Sequence, residues 1–392
     1  AGRDVWIMNC TVKTVGGAGI SINEHNTDPS AFNNRRNWIT GNLVDRSGTP
    51  TGSPTQIGSL IACGQGGEDC FILSNLAWDN RGTTVNDGIS AGSDVTQVDF
   101  TAQQRVVLAD NIVGFSKGFG IDTGPMSIAT GNIVYKPGTH GIAVYTVGTE
   151  AIAMEPAIVS HNMILDPENV DAFNTVGGIV VIVDGATAGK SVMIDDNYIR
   201  DDGAKLVKGI AITVANDPSD TAVLDHVHLR NNVIQRATGA RNFSAIAIEC
   251  SNSGTIDLLN IASNDMHDIA SSGTLFSIEW IGDNLDGIAR VEGLGTNIME
   301  ANDSYSGRTT LVAGVSPALA GNLPNAVWLT MNMRFYMQSL NASSLLAPQY
   351  IAEWDTTNGQ FIIKAYDAAG VAETSAGNVP IFYFEVINGS AA

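Results

Sequence analysis

An all-β parallel β-helix, three short strands to a rung, is the fold this sequence predicts for residues 1–306, followed by a small C-terminal β domain over 307–392. Two observations predict it: an Asn flanked by apolar segments recurs along the chain, and no stretch carries a helical period. The recurring residues are Asn9, Asn42, Asn75, Asn111, Asn132, Asn162, Asn197, Asn232 and Asn264, spaced by 33, 33, 36, 21, 30, 35, 35 and 32. Before each from Asn42 onward lies a segment such as "NWITG", "CFILS", "RVVLAD" or "VHLRN"; after most comes "LVD", "LAW", "IVG" or "VIQ". A third follows further on, in the style of "GISI", "GIAVY", "GIAITV" or "AIAIE". Three strands per period with elastic connections stack into a solenoid of ~4.8 Å rungs. A propeller would need longer, four-stranded antiparallel repeats. Asn is expected at a tight turn because it tolerates left-handed backbone, and its stacked amides can bond up the column.

Alternation along each strand assigns faces. Counting back from each Asn, the third residue is placed inside: Ile39, Ile72, Leu108, Ala129, Val159, Ile194, Leu229 and Ile261. The fourth is placed outside: Trp38, Phe71, Val107, Ile128, Ile158 and Met193, then His228 and Asn260. An apolar outer stripe of this length marks an interface, such as copies packed side by side. After about residue 300 the pattern fades. "QYIAEWDTTNGQFIIKAYD" reads as a hairpin turning at Asn358-Gly359, and "VPIFYFEVI" as a further strand. The domain is expected to be a cap or oligomerisation module, since the last rung otherwise exposes a sticky edge.

Composition narrows the function. Forty acidic against 20 basic residues give a net charge of −20, which argues against nucleic acid and anionic membrane. No apolar run reaches membrane-spanning length. The chain opens on strand-like "DVWIMNCTV" without Met, so a preceding segment is expected. Cys63 and Cys70 could pair, but free, mostly buried cysteines are the expectation for all four. No phosphate loop, dinucleotide fingerprint or metal spacing is present, so no cofactor or metal is expected; His226 and His228 lack a third ligand, and "DNLDG" at 283–287 is only a partial calcium loop.

The third strands offer the chemistry. With Ile246 and Ile248 inside, Glu249 points out; with Phe276 and Ile278 inside, so does Glu279. On adjacent rungs the two carboxylates would stand ~5 Å apart at the backbone, the like-charge arrangement of a glycoside hydrolase acid and its partner. Asp184 lies outward on the same strand class. Asp166 and Asp201, each four residues after its Asn, are expected to stack near Arg200 and Arg236. Tyr145 with His140 and Asp122 is the alternative, a base for β-elimination from a uronate aided by a cation. Trp78, Tyr135 and Trp280 are candidate platforms for sugar rings. Arg200 and Arg236 join them as candidate substrate-binding residues.

Strand–Asn turn–strand–loop–"GI-x-I" rungs, an acidic composition and a distinct C-terminal β domain resemble bacteriophage tailspike depolymerases, over about residues 5–300. The resemblance implies a right-handed, pectate-lyase-like β-helix and a homotrimer that uses the apolar column. It implies an extracellular, virion-borne enzyme that cleaves a bacterial surface polysaccharide, capsule or O-antigen, by hydrolysis or β-elimination. A secreted lyase or epimerase and a non-catalytic adhesin are the competing readings.

Overall fold

The computed structural model describes residues 4–14, 18–22, 35–46, 59–63, 68–79, 87–91, 106–124, 127–146, 156–168, 177–184, 188–215, 221–266, 268–271, 275–293 and 297–299, with five strands beyond. The chain is a right-handed parallel β-helix of three sheets. Sheets A and B have ten strands each and sheet C nine, every strand pairing with the equivalent one a rung away. Among the described residues there is no α-helix, and no helix is long and apolar enough to cross a membrane.

The core forms as alternation demands. All eight residues assigned inside on sheet A, from Ile39 to Ile261, are fully buried. So are Val44, Ala77, Val113, Val134, Ile164, Ile199, Ile234 and Met266 of sheet B, and Ile89, Ile121, Ile142, Ile179, Ile210 and Ile246 of sheet C. Each buried Ile, Leu or Val contributes about 1.5–3 kcal/mol by leaving water. Outside, sheet A carries one register line from Trp6 through Trp38, Phe71, Val107, Ile128, Ile158, Met193, His228 and Asn260 to Glu292. Trp6 and Trp38 stack at 4.2 Å, Trp38 and Phe71 at 5.0 Å. The expected outer stripe is therefore present.

At the turn between sheets A and B, an unbroken amide ladder runs from Asn42 to Asn297. Asn75 is typical: its backbone N–H and its Nδ2 both donate to Asn111 Oδ1, at 3.0 and 2.9 Å, and Nδ2 also donates to the Ile39 carbonyl at 2.9 Å. Deleting one such amide strands buried donors on the rung before, at about 1–3 kcal/mol each.

The ladder corrects the sequence reading in two places. The left-handed residue of the turn is the one before each ladder Asn, as in Ser74, Asp110, His161, Asp196 and Asn231, while the Asn itself is buried and bonded. Asn9 accordingly sits at the left-handed position (φ 53°), and the Cys10 N–H donates to Asn42 Oδ1. Cys63 and Cys70 form a disulfide, contrary to expectation. They fall on either side of the corner where a sheet C strand, Ile61–Cys63, leads into the sheet A strand Glu68–Leu73, and both are buried. Cys10 and Cys250 are free.

Beyond the solenoid, Ser306–Thr310, Ile381–Asn388 and Met331–Gln338 make a three-stranded antiparallel sheet, and Gln349–Asp355 pairs antiparallel with Gln360–Tyr366. The hairpin and the strand in "VPIFYFEVI" are thus present; the Asn358-Gly359 turn lies outside the described residues.

Candidate functional site

The outer face of sheet C carries the titratable groups, and register decides which of them meet. One outward line runs Ser21–Ala62–Ser90–Asp122–Ala143–Val180–Ala211–Ala247–Glu279. A second, two residues further along the strands, runs Tyr145–Ile182–Thr213–Glu249–Ile281. Glu249 therefore stands beside Ile281, and Glu279 beside Ala247. The stacked glutamates expected from the sequence do not form, because the strand Leu275–Ile281 pairs two residues out of the assumed register. Each finds another partner. Glu249 Oε2 accepts the Thr213 hydroxyl at 3.4 Å and lies 3.9 Å from Lys208 Nζ. Glu279 accepts a hydrogen bond from the Ser244 hydroxyl.

Other candidates move too. Trp280 points inward beside Ile248 and is only 7% exposed, so it packs the core and is no sugar platform; alternation after an outward Glu279 requires this. The side chain of Phe276 lies outside the described residues, as does that of Asp286 in "DNLDG". Arg236 and Asp201 are a fully buried ion pair at 3.9 Å. The Arg236 guanidinium donates to the Leu206, Ala204 and Ala270 carbonyls and lies over the Phe243 ring, which pins the sheet B–C corner and leaves it no substrate-facing role. Arg200 is at the surface of sheet B, paired with Asp202 at 2.7 Å. Asp166 sits at a left-handed corner and accepts the Asp202 N–H at 2.8 Å; it stands one rung from Asp201, as expected, and its charge acts on that carboxyl.

Five strand steps back along the first line from Glu279, ~24 Å away, stands a second acidic group. Asp122 follows the inward Ile121; Asp87 lies in the turn just before Ile89, one rung earlier. Asp87 accepts the Phe119 N–H at 2.8 Å, and Asp122 accepts the Ser90 hydroxyl at 3.4 Å. Burial pushes the Asp87 carboxyl up to about 7, against the pull of the Phe119 N–H. Burial and then the charge of Asp87 push Asp122 well above the carboxylate range. The two carboxyls interact as a dyad, each favouring its protonated form.

Aromatic groups wall this dyad. Phe119 stacks on His140 at 5.1 Å and leans on Tyr145 at 5.6 Å. Burial, then Lys208, lowers His140 to about 4, and its Nδ1 accepts the Gly177 N–H at 3.0 Å. The imidazole is therefore neutral and fixed. Burial, then Asp122, Asp87 and Asp184, raises the Tyr145 hydroxyl, so it stays protonated. Asp184, at the end of the strand Gly177–Val183, thus belongs electrostatically with Tyr145 rather than with Glu279. The sequence reading grouped Tyr145, His140 and Asp122; the structure packs His140 and Tyr145 on Phe119, and the charge of Asp122 acts on Tyr145. It missed Asp87, whose one signal was an acid directly before a "GI" strand start.

Trp78 and Tyr135 lie around the corner on the outer face of sheet B, two rungs apart, with rings parallel to 10° and centroids 6.2 Å apart.

No protein-family model and no curated protein matches the chain. Solved structures to which it is similar are phage tailspikes. An alanine mutant of the tailspike of E. coli bacteriophage HK620, in complex with a pentasaccharide, is 11% identical, with 92% of this chain and 76% of that one covered and a TM-score of 0.44. A glutamine mutant of the same tailspike, also with pentasaccharide, is 12% identical, covering 92% and 77%, TM-score 0.35. The Gp54 tailspike of Acinetobacter baumannii bacteriophage AP22, in complex with A. baumannii capsular saccharide, is 8% identical, covering 98% of this chain and 62% of that one, TM-score 0.21.

Proposed function

We propose that the chain is an endo-acting depolymerase that hydrolyses a bacterial surface polysaccharide, capsule or O-antigen, on the outer face of sheet C, with Asp122 and Asp87 as its working carboxylates. The carrying observation is the dyad: two carboxyls on neighbouring rungs, both pushed up by burial, and Asp122 further by the charge of Asp87. Glycoside hydrolysis needs one carboxyl that keeps its proton and one that gives it up. Asp122, pushed up by burial and then by its neighbour's charge, is the acid that protonates the leaving oxygen. Asp87, whose charged form the Phe119 N–H favours, is the carboxylate that attacks the anomeric carbon or activates water. Tyr145 and Asp184 line the approach.

β-Elimination fits these groups less well. It needs a base near neutrality and a cation to neutralise the uronate carboxylate. Tyr145 holds its proton, and His140 Nδ1 is occupied by the Gly177 N–H. Lys208 reaches His140 by its charge, but its Nζ lies 3.9 Å from the Glu249 carboxylate and its strand is three steps from that of Asp122. Around this activity we place a homotrimer packed through the apolar stripe of sheet A, residues 307–392 as a cap or oligomerisation module, and an extracellular site of action on a virion tail.

The test is product release from a panel of purified capsular and O-antigen polysaccharides, following reducing ends and unsaturated-uronate absorbance together. Reducing ends without absorbance, lost in Asp87→Asn and in Asp122→Asn, support hydrolysis by the dyad. Absorbance in place of simple hydrolysis overturns it in favour of a lyase. Binding with no product from any polymer leaves an adhesin.

A further inference from the structure

On sheet B, next to the dyad but on a different face, three rings form a cluster that the catalytic proposal does not use. Trp78, Phe115 and Tyr135 sit at the ends of three successive strands or one residue beyond, Leu76–Trp78, Ile112–Gly114 and Ile133–Tyr135. Trp78 and Tyr135 are parallel; Phe115 stands edge-on to both, at 5.1 and 5.3 Å. Lys136 Nζ lies 5.7 Å from the Tyr135 ring and 5.9 Å from that of Phe115. All three rings are half-buried.

Gly114 is what lets Trp78 lie there. A Cβ at Gly114 would fall 2.3 Å from Trp78 Cζ3 and 2.4 Å from Cε3, so the indole occupies the place a side chain would fill. The ring lies across the next strand, toward Tyr135. At its edge Arg46 Nε stands 3.6 Å from the Asp79 carboxylate and 3.7 Å from that of Asp45. Flat apolar rings edged by charged hydrogen-bonding groups match a pyranose, whose C–H face is apolar and whose rim is hydroxyl.

The cluster is also joined to the dyad. Residues 115–120 connect the Gly114 strand to the Asp122 strand. Phe115 at one end meets Trp78 and Tyr135; Phe119 at the other meets His140 and Tyr145 and donates its N–H to Asp87. Gly138 allows the loop after Tyr135 to lie directly on Lys117: a Cβ there would meet the Lys117 carbonyl oxygen at 2.1 Å.

We infer that Trp78, Phe115 and Tyr135 form a second carbohydrate subsite that stacks a pyranose unit of the polymer as the chain turns the corner from sheet C to sheet B. It rests on the polysaccharide reading above for its ligand, and on its own geometry for its place. It holds substrate away from the reacting bond, so its signature is binding rather than chemistry.

The experiment measures affinity in the Asp122→Asn protein, by titration calorimetry with oligosaccharides released by mild acid from the same capsular and O-antigen panel. Trp78→Ala and Tyr135→Ala are each expected to weaken binding by roughly three- to tenfold, the scale of one aromatic stacking contact. Gly114→Ala keeps all three rings and displaces the indole, and should weaken binding likewise, while Trp78→Phe should weaken it less. Thermal melts accompany each variant. Folded Trp78→Ala and Gly114→Ala proteins that bind as tightly as their parent overturn the subsite even if cleavage is intact. Weakened binding with product still formed by the Asp122-bearing protein supports both readings. Binding of no saccharide to any protein overturns both.

Discussion

Two acidic groups lie on one face of one sheet and behave oppositely. At one end Asp87 and Asp122, on neighbouring rungs, are both pushed toward their protonated forms. At the other, ~24 Å along, Glu249 and Glu279 are held apart by register and each has its own partner, Thr213 and Lys208 for one and Ser244 for the other. Between them the outer line carries only Ala143, Val180, Ala211 and Ala247, all buried. The difference teaches that acidic residues on neighbouring strands do not make a dyad. Asp87 and Asp122 share no register line, since Asp122 stands beside Ser90; a corner loop brings Asp87 to the Phe119 N–H, and from there its charge acts on Asp122.

The sharpest break of this comparison is kinetic. Asp122→Asn is expected to lower kcat by about 10²–10⁴-fold, the scale of general acid catalysis, and Glu249→Gln or Glu279→Gln by less than about tenfold. Steady-state rates on a cleaved polymer decide it; equal losses at both ends would erase the distinction drawn here.

The next effect is in pH. The rate should climb as pH rises through about 7, where the dyad gives up its first proton, and fall again where it gives up the second. Glu249→Gln should leave both limbs in place. A profile flat between about pH 5 and about pH 9 would show two independent carboxylates.

The smallest effect is on stability, and its sign runs against ordinary carboxylates. The Asp87 carboxyl is raised on folding, so the folded chain holds a proton that the unfolded chain releases. That contribution is fully present below the unfolded value of about 4 and is lost as pH rises through about 7. Asp87→Asn should therefore raise Tm by a few degrees at slightly alkaline pH and by nothing near pH 4. Melts of the two proteins across that range check it. A Tm lowered by Asp87→Asn at alkaline pH would mean that the carboxylate stabilises the fold.

Much of this molecule was legible as a pattern. The Asn repeat announced the rungs, and period-two alternation sorted inside from outside without error on sheet A, because a buried strand face admits only apolar side chains. Alternation from an outward Glu279 puts Trp280 inside, yet the sequence reading offers that ring as a sugar platform, and the structure buries it. The ladder Asn and the left-handed residue beside it were run together, since Asn suits either position; burial and hydrogen bonding separate them at Asn9, where Cys10 takes the ladder slot.

The sequence by itself determined the fold class, the core, the outer apolar stripe and the face that carries the acids, because these follow from local periodicity repeated rung after rung. Only the tertiary structure decided which acids meet. Connections of unequal length let the strand Leu275–Ile281 settle two residues from the register that would have stacked Glu249 on Glu279. They also bring the turn acid Asp87 to the Phe119 N–H and Cys63 to Cys70. Register and burial arise from packing summed over the whole solenoid, and a carboxyl's proton affinity depends on both.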